Sequence, residues 1–226
     1  MKMKKKVFIG VGHGGSDPGA VGNGLKEANL NLAIALACMN ELVRHGVDVC
    51  MSRTKDENDP ASEEVRECNA FNPDLAIDIH NNAGGGDGAE AYHTIGYGKG
   101  EVLAKNILAE IQKIGQNSRG AKTRLNSSGS DYYTFIRSTY APAVIVECAF
   151  VDNKTDIQII DTSEEQKQMG IAIAKGVLAT LGIAYVPEKV NESKMYRVQV
   201  GAYSVKKNAE DMKKKLIADG YSAIIV

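Results

Sequence analysis

The sequence has no surplus of charge: 27 Lys and Arg stand against 28 Asp and Glu, for a formal net charge of −1. It therefore has no basic field to draw it to nucleic acid, and no acidic tract that would act as a solvating tail. Paired cysteines are also missing. Cys38, Cys50, Cys68 and Cys148 sit singly in apolar or amphipathic stretches, with no CxxC pair, which fits buried, reduced thiols better than a disulfide frame or a thiolate metal site. No segment approaches the ~20 apolar residues that a membrane helix needs, so no membrane insertion is expected. The opening MKMKKKVFIGVGHGG imitates the basic region of a secretory signal, but its apolar run, Val7 to Val11, is short and meets Gly-His-Gly where a small-residue cleavage site would stand. The expectation is synthesis in the cytoplasm without a signal peptide, with any work outside needing another exit route.

What is present is enough apolar material for a core: 43% of the 226 residues, a length suited to one full domain and something small. Strand-like runs (6–12, 47–53, 75–80, 89–95, 143–150) alternate with helix-like ones (27–45, 60–70, 100–114, 163–181). Asp59 and Pro60 sit where a helix would open, and Ser163 with Gln166 has capping-box spacing. This alternation predicts an α/β three-layer sandwich, a mostly parallel twisted sheet with helices on both faces. A main domain of 1–183 is followed by AYVPEKVNESK (184–194), which reads as a linker, and by 195–226, one β-α-β unit. That unit has about 32 residues, below the ~40 at which a domain folds unaided. It must dock, pair or be incomplete.

Chemistry-bearing residues collect at the carboxyl ends of the expected strands, where open α/β sheets bind ligands. His13 follows the first strand, Glu27 follows the Gly-rich loop, His80 ends the third strand, and Glu147 lies inside the last. Two histidines and a carboxylate form a three-ligand zinc set with a position left open. Such a metal would acidify a water and polarise a scissile carbonyl. Glu147, between AVIV and CAF, has the apolar surroundings that raise a carboxyl toward acid/base work, and an unpaired charge there would cost several kcal/mol. The loop GHGGSDPGAVGNG lacks the Walker lysine and hydroxyl and any clean GxGxxG that opens into a helix, which leaves little support for phosphate binding. His93 is expected on the substrate side or in a structural role. GGGDG (84–88) reads as a flexible lip, 116–133 as a long polar loop shaping a groove, and Arg53 and Arg66 as ion-pair partners.

These motifs resemble, from about Val7 to Leu181, the zinc-dependent N-acetylmuramoyl-L-alanine amidases of the amidase 3 type, found among autolysins and endolysins. GHGGSDPGAVG is similar to the family's histidine loop and GLKEANLNL to its glutamate helix start. EVRECNAFNPDLAIDIHNNA resembles the arginine helix with the second histidine, and YAPAVIVECAFVDN the closing strand with the catalytic glutamate. The resemblance implies that His13, Glu27 and His80 bind Zn2+ and that Glu147 is the catalytic acid/base. The substrate would be peptidoglycan, cleaved between N-acetylmuramic acid and L-alanine of the stem peptide. Two departures stand out: Asp78 replaces the usual Ser two residues before His80, and ECAF replaces Glu-Thr-Gly-Phe. On a strand, Asp78 should share the face of His80. The tail YRVQVGAYSVKKNAEDMKKKLIADGYSAIIV resembles the first half of a SPOR module, which binds peptidoglycan glycan; two chains pairing their halves would make a homodimer. The lack of a signal peptide points to a phage or prophage endolysin, the expected setting, or to a lysis enzyme of the mother cell, over an exported autolysin; either reaches the cell wall after release. A zinc peptidase or deacylase acting on another amide, and a non-catalytic wall-binding protein, remain the alternatives.

Overall fold

The computed structural model describes residues 4–96, 98–188, 199–221 and 223–225. The elements run β1 (Lys6–Val11), β2 (Val21–Gly22), β3 (Leu25–Lys26), α1 (Glu27–Arg44), β4 (Asp48–Met51), α2 (Ala61–Phe71), β5 (Leu75–Asn82), β6 (Ala89–His93), α3 (Lys99–Lys113), β7 (Ser118–Lys122), α4 (Thr134–Ser138), β8 (Ala143–Phe150), α5 (Ser163–Leu181) and α6 (Lys206–Ala218). Six strands form one sheet in the order β4-β1-β5-β8-β6-β7. All neighbours are parallel except β8 and β6, which run antiparallel.

Alternation along the strands sorts the two faces. Val7, Ile9 and Val11 of β1, Leu75, Ile77 and Ile79 of β5, and Val144 and Val146 of β8 bury into the layer that holds α1, α3 and α5. Phe8, Ala76, Ala143 and Ile145 point the other way, against Val65 and Cys68 of α2 and Phe135 and Ile136 of α4. This second layer is short, since α4 has only five residues. It covers the amino-terminal half of the sheet, and the positions that continue its parity, Gly10, Asp78, His80, Glu147 and Glu90, carry the polar chemistry.

Local signals differ from expectation in a few places. α5 is capped by Thr162, which forms the capping box with Glu165, one residue ahead of the Ser163/Gln166 pair. α2 has Pro60 at its N-cap with no side-chain cap bond, so Asp59 does not serve as cap. The polar stretch 116–133 contains the edge strand β7, whose SRGAK text is half-exposed and lacks apolar alternation. The small hairpin β2–β3 turns on Asn23 and Gly24, both at positive φ, the Asn-Gly signal of a tight hairpin.

The chain divides into two compact units, Met1–Val186 and Pro187–Val226. Residues at the end of the first dock on it: the Tyr185 ring stacks on His45 at 5.1 Å, and the Val186 N–H donates to His45 Nε2 at 3.0 Å. In the second unit α6 forms as expected, but residues 199–204, 221 and 223–225 form no strand. The expected β-α-β pairing is thus corrected for those residues; 195–198, 222 and 226 lie outside the described set. The physical reason is that strands without further partners leave Val200, Tyr203, Ile224 and Ile225 exposed, with too little burial to offset their ordering. Among the described residues no helix is long and apolar enough to cross a membrane.

Candidate metal centre and active site

The site is built at the carboxyl edge of β1, β5 and β8. β1 ends at Val11, and the chain turns at His13 with φ 63°. That is a left-handed conformation, costing a non-glycine residue roughly 1–2 kcal/mol. Arg53 holds the turn. Only 2% exposed, it donates to the carbonyls of Val11 (3.0 Å), Gly12 (3.2 Å), Ala28 (2.8 Å) and Lys55 (3.1 Å). It therefore acts as a backbone clamp, and the expected ion-pair role is corrected because four carbonyls absorb its donors. Arg66 does pair with Glu63, on the surface.

Glu27 opens α1, where the helix dipole favours a carboxylate. Its Oε2 lies 3.2 Å from His13 Nε2 and its Oε1 3.1 Å from His80 Nδ1. The N–H of Ala20 donates to Oε2 at 2.8 Å and that of Asn81 to Oε1 at 3.1 Å. Burial alone would raise this carboxyl, yet the hydrogen bonds of His13 and His80 hold it well below the ordinary carboxylate range. One ligand atom from each of His13, Glu27 and His80 lies within 4.8 Å of the others. The expected convergence of a loop, a helix start and a strand is what the structure contains.

Each imidazole has a carboxylate behind it. His13 Nδ1 meets Asp17 Oδ2 at 2.8 Å, and His80 Nε2 meets Asp78 Oδ2 at 3.1 Å. Asp17 was not singled out in the sequence; its spacing of four from His13 across a Gly-rich turn was the available signal. A Cβ at Gly12 would overlap the His80 ring, and one at Gly19 would stand 2.6 Å from Glu27 Oε2 and 2.7 Å from His13 Cδ2. These glycines leave room for the ligands.

Glu147 sits one strand over, in register with His80 and, on its other side, with Glu90. Its Oε2 is buried without a hydrogen-bond partner. Burial pushes the carboxyl up to about 7, against the pull of His80 and with the carboxylates of Glu27, Asp78 and Glu90 adding to the rise. Glu90 is held by Arg119 (2.7 Å), Tyr92 (3.0 Å), Asn82 (3.1 Å) and Lys122. It is thus committed to a structural network and leaves Glu147 as the unpaired acid. His93, at the opposite parity on β6, lies on the α3 face and bonds Thr94 O at 2.9 Å. Of its two expected roles this fits the structural one. The GGGDG stretch is fastened, with Asp152 accepting from Gly84 (2.8 Å) and Gly85 (2.9 Å) and Asp156 accepting from Gly88 (2.8 Å).

The fold and this group of side chains define a class: an α/β sandwich with a candidate hydrolase metal centre at its strand tips. Comparison with known proteins narrows it. Residues 7–179 match the N-acetylmuramoyl-L-alanine amidase family Amidase_3, and residues 174–226 match the SPOR domain. The sporulation-specific N-acetylmuramoyl-L-alanine amidase of Bacillus subtilis (strain 168) is 33% identical over 225 residues, covering 98% of this chain and 84% of that protein. The amidase CwlM of Bacillus licheniformis is 34% identical with the same coverage. Cwp6 from Clostridium difficile superposes with a TM-score of 0.78 at 37% identity, over 80% of this chain and 30% of that one. The chain belongs to the Amidase_3 family of N-acetylmuramoyl-L-alanine amidases and carries a C-terminal SPOR domain. It is a peptidoglycan amidase.

Proposed function

We propose that His13, Glu27 and His80 hold a zinc ion and that Glu147 is the acid/base that cleaves the amide between N-acetylmuramic acid and L-alanine of the stem peptide. The observation that carries this reading is the meeting of three ligand atoms within 4.8 Å of one another, one strand from a buried carboxyl oxygen with no partner. The donor set fits zinc in kind and number, two neutral imidazoles and a carboxylate with a position to spare. The already ionised Glu27 and the space left at Gly12 and Gly19 support the fit. Bound there, the ion supplies Lewis acidity toward the scissile carbonyl and the attacking water.

The chain's own residues do the rest. Its carboxyl raised by burial, Glu147 takes a proton from the attacking water at Oε2 and returns it to the departing alanine nitrogen. His13 and His80 stay oriented by the carboxylates of Asp17 and Asp78. Glu90, held by Arg119 and Lys122, stays ionised beside Glu147 and favours a neutral Glu147 at the proton-donating stage. The SPOR domain holds the enzyme on the wall. Similarity to a sporulation-specific amidase over 98% of this chain and 84% of that protein supports action as an autolysin of the mother cell over a phage endolysin. The exposed apolar residues of the second unit, Val200, Tyr203 and Ile224 among them, are the support for self-pairing of that unit into a homodimer.

The test is product analysis by mass spectrometry after digestion of purified peptidoglycan. The reading predicts peptides with a free L-alanine amino terminus and glycans that keep the lactyl carboxyl. Cleavage at any other amide would replace it with the peptidase reading, and wall binding without products would favour a purely binding role.

A further inference from the structure

Of the two carboxylates behind the imidazoles, Asp17 is on the surface, its side chain 64% exposed, and water can replace it. Asp78 is different. It is 3% exposed, and its Oδ2 faces His80 Nε2 at 3.1 Å while Oδ1 is buried with no partner. The sheet is shaped around this pair. Gly10 is in register with Asp78 on the neighbouring strand, and a Cβ there would come within 2.9 Å of Asp78 Oδ1 and would overlap the Glu64 carboxyl. Gly12, two residues on, gives its space to the His80 ring. Gly10 in β1 leaves room for the carboxyls of Glu64 and Asp78, and Gly12, just past the end of that strand, leaves room for the imidazole that Asp78 meets. Where His80 Nε2 gives its hydrogen to Asp78, the lone pair is left on Nδ1, and Nδ1 is the atom that lies 3.1 Å from Glu27 Oε1.

We propose that Asp78 is a positioning residue for the metal centre: by accepting the Nε2–H of His80 it fixes the tautomer in which Nδ1 is the metal donor. The proposal rests on the zinc-site reading. It adds to that reading which atom of His80 binds and what keeps it there. Such outer partners are worth 10–100-fold in metal affinity. Asp78→Ser removes the reach to Nε2, whereas Asp78→Asn keeps a neutral oxygen that still accepts.

The test uses the full chain, 15N-labelled at histidine and loaded with Zn2+, in a long-range 1H–15N correlation experiment. Zinc affinity is measured in parallel by chelator competition for wild type, Asp78→Asn and Asp78→Ser, with thermal unfolding of the metal-free proteins as the folding control. The proposal predicts His80 metallated at Nδ1 and protonated at Nε2, affinity lowered about 10–100-fold in Asp78→Ser, and partial retention in Asp78→Asn. Metallation at Nε2, or an Asp78→Ser protein that is folded and binds zinc as tightly as wild type, would overturn it. If Asp78→Ser does not fold, the wild-type and Asp78→Asn spectra decide alone. A folded wild type that binds no zinc overturns the metal reading itself, and this proposal with it, a result that leaves a different signature from zinc bound through the other nitrogen.

Discussion

At the scale of single residues, the site depends on which charges are paired. Glu147, in register with His80, has a buried oxygen without a partner, and burial raises its carboxyl toward neutrality. Glu147→Gln keeps the shape and removes the proton carrier, so kcat should fall on the order of 10²–10⁴-fold with metal content unchanged, as steady-state kinetics and elemental analysis would record. The pH profile follows from the same group. In the proposed reaction the base form of Glu147 acts first, and it grows as pH rises through its ionisation, so activity should climb on an acidic limb. In the metal-free protein that midpoint is about 7 against an ordinary 4.5, and a nearby cation favours the carboxylate and pulls it down. The midpoint of kcat/KM should therefore fall between those two values. A flat profile across this range would remove Glu147 from the role. Arg53 makes a separate prediction. Its donors satisfy four backbone carbonyls around the strained turn at His13, so Arg53→Met should cost roughly 2–4 kcal/mol by urea denaturation, with weakened metal binding.

At the scale of elements, strands and helices with strong periodicity were legible in the sequence: β1, β5, β8, α1 and α5 form within a residue or two of their apolar patterns. The meeting of His13, Glu27 and His80, with Glu147 one strand over, was legible because the loop, helix start and strand tips that carry them share one sheet edge. Weaker signals were lost for physical reasons. β7 is a half-exposed edge strand that is stabilised by pairing with β6, so its text shows no apolar alternation. The cap of α5 was misplaced by one residue because Ser163 and Thr162 both offer a hydroxyl, and only Thr162 has the extended backbone of an N-cap. Thr162→Ala should therefore destabilise the protein by about 1 kcal/mol, seen as a lower Tm, while Ser163→Ala should have almost no effect. The inward turn of Arg53 to the carbonyls, and the burial of Asp78 between Gly10 and His80, depend on neighbours that are distant in sequence, and no local pattern encodes them.

At the scale of the whole molecule, an amidase unit ending at Val186 is joined to a SPOR unit that buries none of the residues of its own helix α6. Because the core and the site lie wholly within the first unit, truncation after Val186 should leave hydrolysis of a soluble muramyl peptide unchanged. Retention on insoluble peptidoglycan should fall, as a pull-down against cell-wall sacculi would show. Loss of soluble activity in the truncated protein would mean that the second unit completes the site. The central claim is that a loop, a helix start and a strand tip make one metal centre, and metal stoichiometry is its most direct measurement. Elemental analysis of the purified full chain should find about one zinc per molecule, and almost none in a folded Glu27→Ala variant. Stoichiometric zinc in that variant, or a fully active wild type without metal, would contradict the account.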